Sequence, residues 1–193
     1  MSLSTYDTLL AEVRARLTPG SAEHSERVAE TAARLAIAYG EDTEEARIAG
    51  LLHDWCRDVP KTELIDRARE LGMNVTGVDL VAPYLLHGPV GAAEVAERFE
   101  GLSSRIISAI ETHTYGSADL DTLGMIVYVA DTIEPARSHD GVEELRAAVG
   151  HVSLVELFAR TYALSLRHLV ESRRPIHRTT VDAWNAVIAG VTS

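Results

Sequence analysis

Imidazoles and carboxylates recur along this chain where a helical period would turn them toward the interior. An apolar run, Ala49-Gly50-Leu51-Leu52, ends on the adjacent pair His53-Asp54. Burying a polar group without a partner costs roughly 2 to 7 kcal/mol, and a charge costs more, so the pair needs compensation. His24 lies four residues before Val28 on a stripe that continues through Ala32, Leu35 and Tyr39. His113 shares a face with Ile106, Ala109 and Ile110, and Asp131 shares one with Gly124, Val127 and Tyr128. His87 stands between two helical stretches, in Leu86-His87-Gly88-Pro89. Any one of these histidines alone reads as a satisfied core residue. Six such groups on inward faces point together to a bound metal ion.

Donors of nitrogen and oxygen type suit iron, manganese, nickel or zinc, whereas a structural zinc module or an iron–sulfur cluster needs cysteine clusters. The only cysteine is Cys56, beside the pair, where a small buried filler is its simplest role. The chain has no Gly-x-x-x-x-Gly-Lys phosphate loop, no Gly-x-Gly-x-x-Gly turn and no His-Glu-x-x-His. A ferritin-like di-iron bundle would need Glu three residues before a histidine, and no histidine here has one. His139, His151 and His168 lie in a polar turn, a short connection and an ordinary helix face, outside the set.

These side chains need helices to carry them. No stretch alternates at period two, so the chain reads as all-α, a single-domain helical bundle over residues 1–193. Helices are predicted for Thr5 to Leu17, Ser21 to Tyr39 with Gly40 as its stop, and Thr43 to the His53-Asp54 pair. Adjacent residues on a helix point about 100° apart, so His53 and Asp54 serve one site if the helix is ending there. Arg57-Asp58-Val59-Pro60 has the character of a terminus. Further helices are predicted for Lys61 to Leu71, Val78 to Leu86 and Val90 to Phe99, the last with Pro89 in its first turn. A helix capped by Ser103 or Ser104, a strongly apolar one ended by Pro135, and two more at Ser153 to Glu171 and Thr180 to Ala189 complete the chain.

A length of 193 residues suits one domain. The formal net charge of -11 argues against polymeric nucleic acid or an anionic membrane as a partner. A small anion needs only a local cluster, which Arg173, Arg174, His177 and Arg178 supply, although basic residues also suit an ordinary helix end. No run approaches the roughly 18 apolar residues of a membrane span, and Asp7 and Glu12 fall where a signal peptide would be basic then apolar. A lone cysteine fits a reducing compartment, so the expectation is a cytoplasmic protein.

The first His, the His-Asp pair and the late Asp resemble the metal-ligand pattern of the HD-domain metal-dependent phosphohydrolases. Within that superfamily, five segments look like the YqeK group. They are His24-Ser25-Glu26-Arg27-Val28-Ala29, Gly50 to Asp54, Leu86-His87-Gly88-Pro89-Val90-Gly91-Ala92, His113-Thr114, and Ala130-Asp131-Thr132-Ile133-Glu134-Pro135-Ala136-Arg137. The resemblance implies a bundle of the HD-domain type, with a core over 21–136 and C-terminal helices over 142–190 completing a nucleotide site. It implies a divalent or di-iron centre on His24, His53, Asp54 and Asp131, with Asp54 as the catalytic bridge that positions a hydroxide. His87 and His113 would complete a second metal position or contact phosphate. Arg57, Thr114, Arg137 and the stretch Arg174-Pro175-Ile176-His177 match positions that hold the nucleotide.

The implied reaction is symmetrical hydrolysis of diadenosine tetraphosphate and related dinucleoside polyphosphates to ADP. No membrane or polymeric nucleic acid takes part, and a homodimer is compatible with the sequence. Two alternatives stand beside it: a phosphohydrolase for a nucleoside mono- or triphosphate, and a non-catalytic nucleotide sensor. A sensor would show a lost ligand, and none is lost. Departures from the group fall in the pocket lining. Trp55 stands for a usual Tyr, Cys56-Arg57 for a small residue and Lys, Thr132 for Tyr, and Arg178 for Pro.

Overall fold

A computed structural model describes residues 5–191. Helices make up all of its regular structure: eleven α-helices and one 3-10 turn among the described residues. None of these helices is long and apolar enough to cross a membrane.

Helix α1 (Tyr6–Arg16) leads into α2 (Pro19–Tyr39), which starts two residues earlier than Ser21 because proline suits the first helical position. Its N-cap, Thr18, makes no side-chain cap of its own. Asp58 substitutes from across the fold, accepting from Thr18 N at 2.7 Å and from Ser21 Oγ at 2.8 Å. Helix α2 ends on Gly40, left-handed at φ 75°.

Asp42 caps α3 (Thr43–Leu52) through a bond from Glu45 N. Helices α2 and α3 pack backbone to backbone, since a Cβ on Gly50 would stand 2.9 Å from Ala29 Cα. That close approach puts His24 and His53 on one side of a narrow seam.

After α4 (Lys61–Glu70), the stretch predicted as one short helix is two elements. A capping box between Thr76 and Asp79 opens α5 (Gly77–Val81), and a 3-10 turn follows at Pro83–Leu86. Helix α6 (His87–Arg98) begins at His87 rather than Val90, so Gly88 and Pro89 sit inside its first turn. Gly88 is needed there, because a Cβ would meet Glu111 O at 3.0 Å where α6 lies on α7 (Ser104–Thr112).

Helix α8 (Thr122–Ile133) touches α2, α3, α7 and α10 (Leu154–Glu171), which explains its strongly apolar character. Leu123, Ile126, Val127, Val129 and Ala130 are all buried along it. A seven-residue helix, α9 (Val142–Ala148), follows left-handed Gly141 in a stretch where periodicity resolved no separate element. Helix α11 (Arg178–Val191) packs on α10 and closes the bundle.

Candidate metal centre

Three of the inward histidines occupy the same local position. His53 is the C-cap of α3, His113 the C-cap of α7, and His87 follows the 3-10 turn while opening α6. Carbonyls at a helix end have spare acceptor capacity, and each ring bonds one of them through Nδ1, Tyr84 O taking the His87 main-chain N–H as well. The acceptors are Gly50 O for His53 (2.7 Å), Tyr84 O for His87 (2.5 Å) and Ile110 O for His113 (2.7 Å). A carbonyl only accepts, so Nδ1 carries the proton and Nε2 turns its lone pair inward. His24 reaches the same tautomer differently, with Nδ1 3.2 Å from Glu134 Oε1.

The four Nε2 atoms surround Asp54, whose carboxylate divides between them. Oδ2 lies 3.7 Å from His24 Nε2 and 3.5 Å from His53 Nε2. Oδ1 lies 2.8 Å from His87 Nε2 and 3.6 Å from His113 Nε2. Asp131 closes the first side, its Oδ1 3.0 Å from His24 Nε2 and 4.0 Å from His53 Nε2. The six residues predicted from the sequence thus form one cluster, buried at His53, Asp54, His87 and His113 and open at His24 and Asp131.

Such a set is unsatisfied without a cation. His53 Nε2 and Asp54 Oδ1 have no hydrogen-bond partner, since His87 comes near Oδ1 but out of hydrogen-bond alignment. His87 Nε2 and His113 Nε2 face each other at 2.9 Å, a distance that needs a proton or a metal between two lone pairs. The C-terminal ends of α3 and α7 also point their negative dipole ends at the cluster, which favours positive charge. The residues present therefore fit a divalent metal ion.

Electrostatics agree. Burial pushes the His53 pKa down to about 4, so the ring is a neutral donor at neutral pH. Burial would also lower His24, but the hydrogen bond and charge of Asp131, together with Asp54, raise it instead. Desolvation works to raise Asp54, and the facing His53, His113 and His87 hold it well below the usual carboxylate range. Asp131 is likewise held well below that range despite burial, by His24, His53 and Arg137.

The expected nucleotide-binding residues are distributed around this cluster. Arg137 binds Asp131, through Nη2 to Oδ1 at 2.5 Å and Nε to the main-chain O at 2.9 Å. Arg57 lies 3.9 Å from Asp54 Oδ1. A cleft of about 580 Å³ runs from His87 past Tyr84 and is edged by Arg57, Lys61 and Arg174. Arg173 holds the left-handed turn after α10 at φ 53°, an uncommon geometry for a side chain other than glycine, and the turn delivers Arg174 to that cleft.

Thr114 gives its hydroxyl to Leu85 O at 3.1 Å and so braces the turn that carries His87. His177 stacks on Tyr115, ring centroids 5.1 Å apart, and accepts from Thr179 N at 3.2 Å. Pro175 and Ile176 form the connection between α10 and α11.

Sequence reasoning gave no role to Glu134, Arg27, Lys61 or Tyr84. Glu134 was visible in the Glu134-Pro135 segment and Arg27 three residues after His24, but their meeting is tertiary.

The chain belongs to the HD-domain family, whose model matches residues 21–136. It is similar to proteins named as symmetrical bis(5'-nucleosyl)-tetraphosphatases. It is 33% identical to that of Staphylococcus aureus over 84% of both chains. It is 31% identical to that of Bacillus subtilis over 94% of this chain and 96% of the relative. The fold matches the crystal structure of a predicted HD superfamily hydrolase involved in NAD metabolism from Clostridium acetobutylicum. The TM-score is 0.90 at 32% identity, covering 98% of this chain and 100% of that one.

Proposed function

We propose that the protein is a metal-dependent phosphoanhydride hydrolase that cleaves diadenosine tetraphosphate and related dinucleoside polyphosphates symmetrically to ADP. The observation that carries this reading is the divided carboxylate of Asp54, one oxygen toward His24 and His53 and the other toward His87 and His113. In this reading His24, His53, Asp54 and Asp131 would hold a metal ion, and His87 and His113 would help hold a second or contact phosphate. Iron suits this nitrogen and oxygen donor set, and manganese, nickel or zinc are the alternatives. When bound, such ions neutralise phosphate oxygens and bring a water molecule's pKa toward neutrality.

The chain's own residues do the rest. Asp54 and Asp131 would supply the negative charge that retains the ions, while four imidazoles would fix geometry without adding negative charge. Arg57, Lys61 and Arg174 line the cleft that opens beside His87, and their cations match the outer phosphates of a polyphosphate chain. Arg137, on Asp131 at the open side, is placed to present its guanidinium to an arriving phosphate. ADP is a stable leaving group, so no side-chain proton donor is required at the departing oxygen. The support from relatives is that the Staphylococcus aureus and Bacillus subtilis proteins share one activity and are similar over most of the chain.

Chromatography of the products from diadenosine tetraphosphate tests the proposal. ADP alone is expected, and the Asp54→Ala variant should form none while keeping its helix content. ATP plus AMP would overturn symmetrical cleavage. Inorganic phosphate released from a nucleoside mono- or triphosphate, with the dinucleotide left intact, would move the assignment to another nucleotide.

A further inference from the structure

The inward histidines are not braced alike. His53, His87 and His113 lean on main-chain carbonyls, acceptors that no side-chain substitution removes. His24 leans on a carboxylate, Glu134 Oε1, at 3.2 Å. Glu134 is 2% exposed, and a carboxylate so buried must be well partnered.

The partners separate by oxygen. Oε2 accepts from Arg27 Nε at 2.7 Å and from Ala136 N at 2.8 Å, bonds that satisfy the turn after α8. Oε1 is left to His24, with Arg137 Nε farther off at 3.8 Å. Arg146 fixes the same turn from outside, donating to Ile133 O, Glu134 O and Arg137 O at 2.9, 2.6 and 2.9 Å. The turn is therefore held by main-chain and arginine bonds that do not involve Oε1. A purely structural role leaves the His24 contact without a purpose.

We infer that Glu134, oriented by Arg27, is a positioning residue for His24. It fixes the tautomer with the proton on Nδ1 and aims Nε2 at the space shared with His53, Asp54 and Asp131. An outer carboxylate on a ligating imidazole raises its basicity, and removing such a partner typically weakens metal binding about 10- to 100-fold. The effect should fall on the His24 side of Asp54 and spare the His87–His113 side. This inference rests on the cluster being a metal site.

The test is a titration of the metal-stripped full chain with Mn²⁺, free ion being followed by electron paramagnetic resonance. Wild type, Glu134→Gln, Glu134→Ala and Arg27→Ala are compared, with melting curves of each metal-free protein. Two affinities are expected in the wild type. In Glu134→Ala one should weaken about 10- to 100-fold and the other stay unchanged. Glu134→Gln, whose amide oxygen still accepts from His24, should weaken the same site less. Arg27→Ala should fall between wild type and Glu134→Ala.

If Glu134→Ala fails to fold, the Gln and Arg27 variants decide. Lower melting temperatures with both affinities unchanged would make Glu134 a structural residue only and overturn the inference. A wild type that takes up no Mn²⁺, Fe²⁺ or Zn²⁺ would overturn the metal reading itself, and this inference with it.

Discussion

Stripping the metal and lowering the pH should reveal His53 as the acid-sensitive point of the fold. The ring is fully buried, its Nδ1 committed to Gly50 O and its Nε2 without a hydrogen-bond partner. Burial holds its pKa at about 4, while an unfolded histidine titrates near 6.5. Between those values the unfolded chain binds a proton that the folded chain refuses, so stability falls as pH falls. The limiting slope is about 1.4 kcal/mol per pH unit, and integration from pH 6.5 to pH 5 gives roughly 1.5 kcal/mol. For a chain of this length that corresponds to a drop of about 3 to 6 °C in Tm.

The groups that the fold shifts in the opposite sense are distinguishable from His53 by their sign and range. His24, raised by Asp131 and Asp54, contributes stability of the opposite pH sense to His53. Its stabilisation is complete only well below the unfolded value near 6.5 and is lost as pH rises through the raised folded value. Asp54, Asp131 and Glu134 are depressed, and their contributions fade only once pH falls below the ordinary carboxylate range. Melting curves of the chelator-treated protein across the window, beside those of His53→Asn, provide the assay. The wild-type Tm should fall by the stated amount, and the variant should melt lower throughout but without that slope. A flat wild-type profile, or the same slope in the variant, refutes the assignment.

Gly50→Ala should be costly out of proportion to one methyl group, because its Cβ would stand 2.9 Å from Ala29 Cα. Overpacking of that kind costs about 1 to 3 kcal/mol, and it should weaken metal binding as well, by parting His24 from His53. Calorimetric melts and a metal titration check both effects, and loss of neither would refute the close-packing argument. Lys61→Ala and Arg174→Ala should each raise KM for the dinucleotide roughly 2- to 10-fold, as expected for exposed cations on phosphate, with kcat nearly unchanged. Steady-state kinetics separate the two constants, and an equal fall in kcat would contradict a purely holding role.

Four of the six clustered residues were legible because they break apolar stripes, and His87 and Asp54 through the motifs around them. A His or Asp at the helical period among Val, Leu and Ile is conspicuous, and His24, His53, His113 and Asp131 all stand out that way. The all-α bundle was legible for the same reason, since most helices are long enough to show their period. Helix α9 is seven residues long and follows a left-handed glycine, too short for its face to repeat. The Glu134 brace was hidden for another reason. Its partners lie 107 and 110 residues away, and no local pattern records such a meeting.

That contrast explains why helix ends, rather than helix faces, build most of this site. A ligand in mid-helix has its backbone already satisfied and must find an outside group to orient its ring. A histidine at a helix end finds a carbonyl with spare acceptor capacity three residues back in its own sequence. His53, His87 and His113 take that local solution, and two of them bring the negative end of an α-helix dipole with them. His24 sits in the first turns of α2, where the free backbone groups are N–H donors, and no carbonyl is available to its Nδ1. A carboxylate from the far end of α8 is the remaining way to hold it. The one histidine on the wrong end of its helix is therefore the one that needs Glu134, and it is the ligand whose loss of support should be felt first.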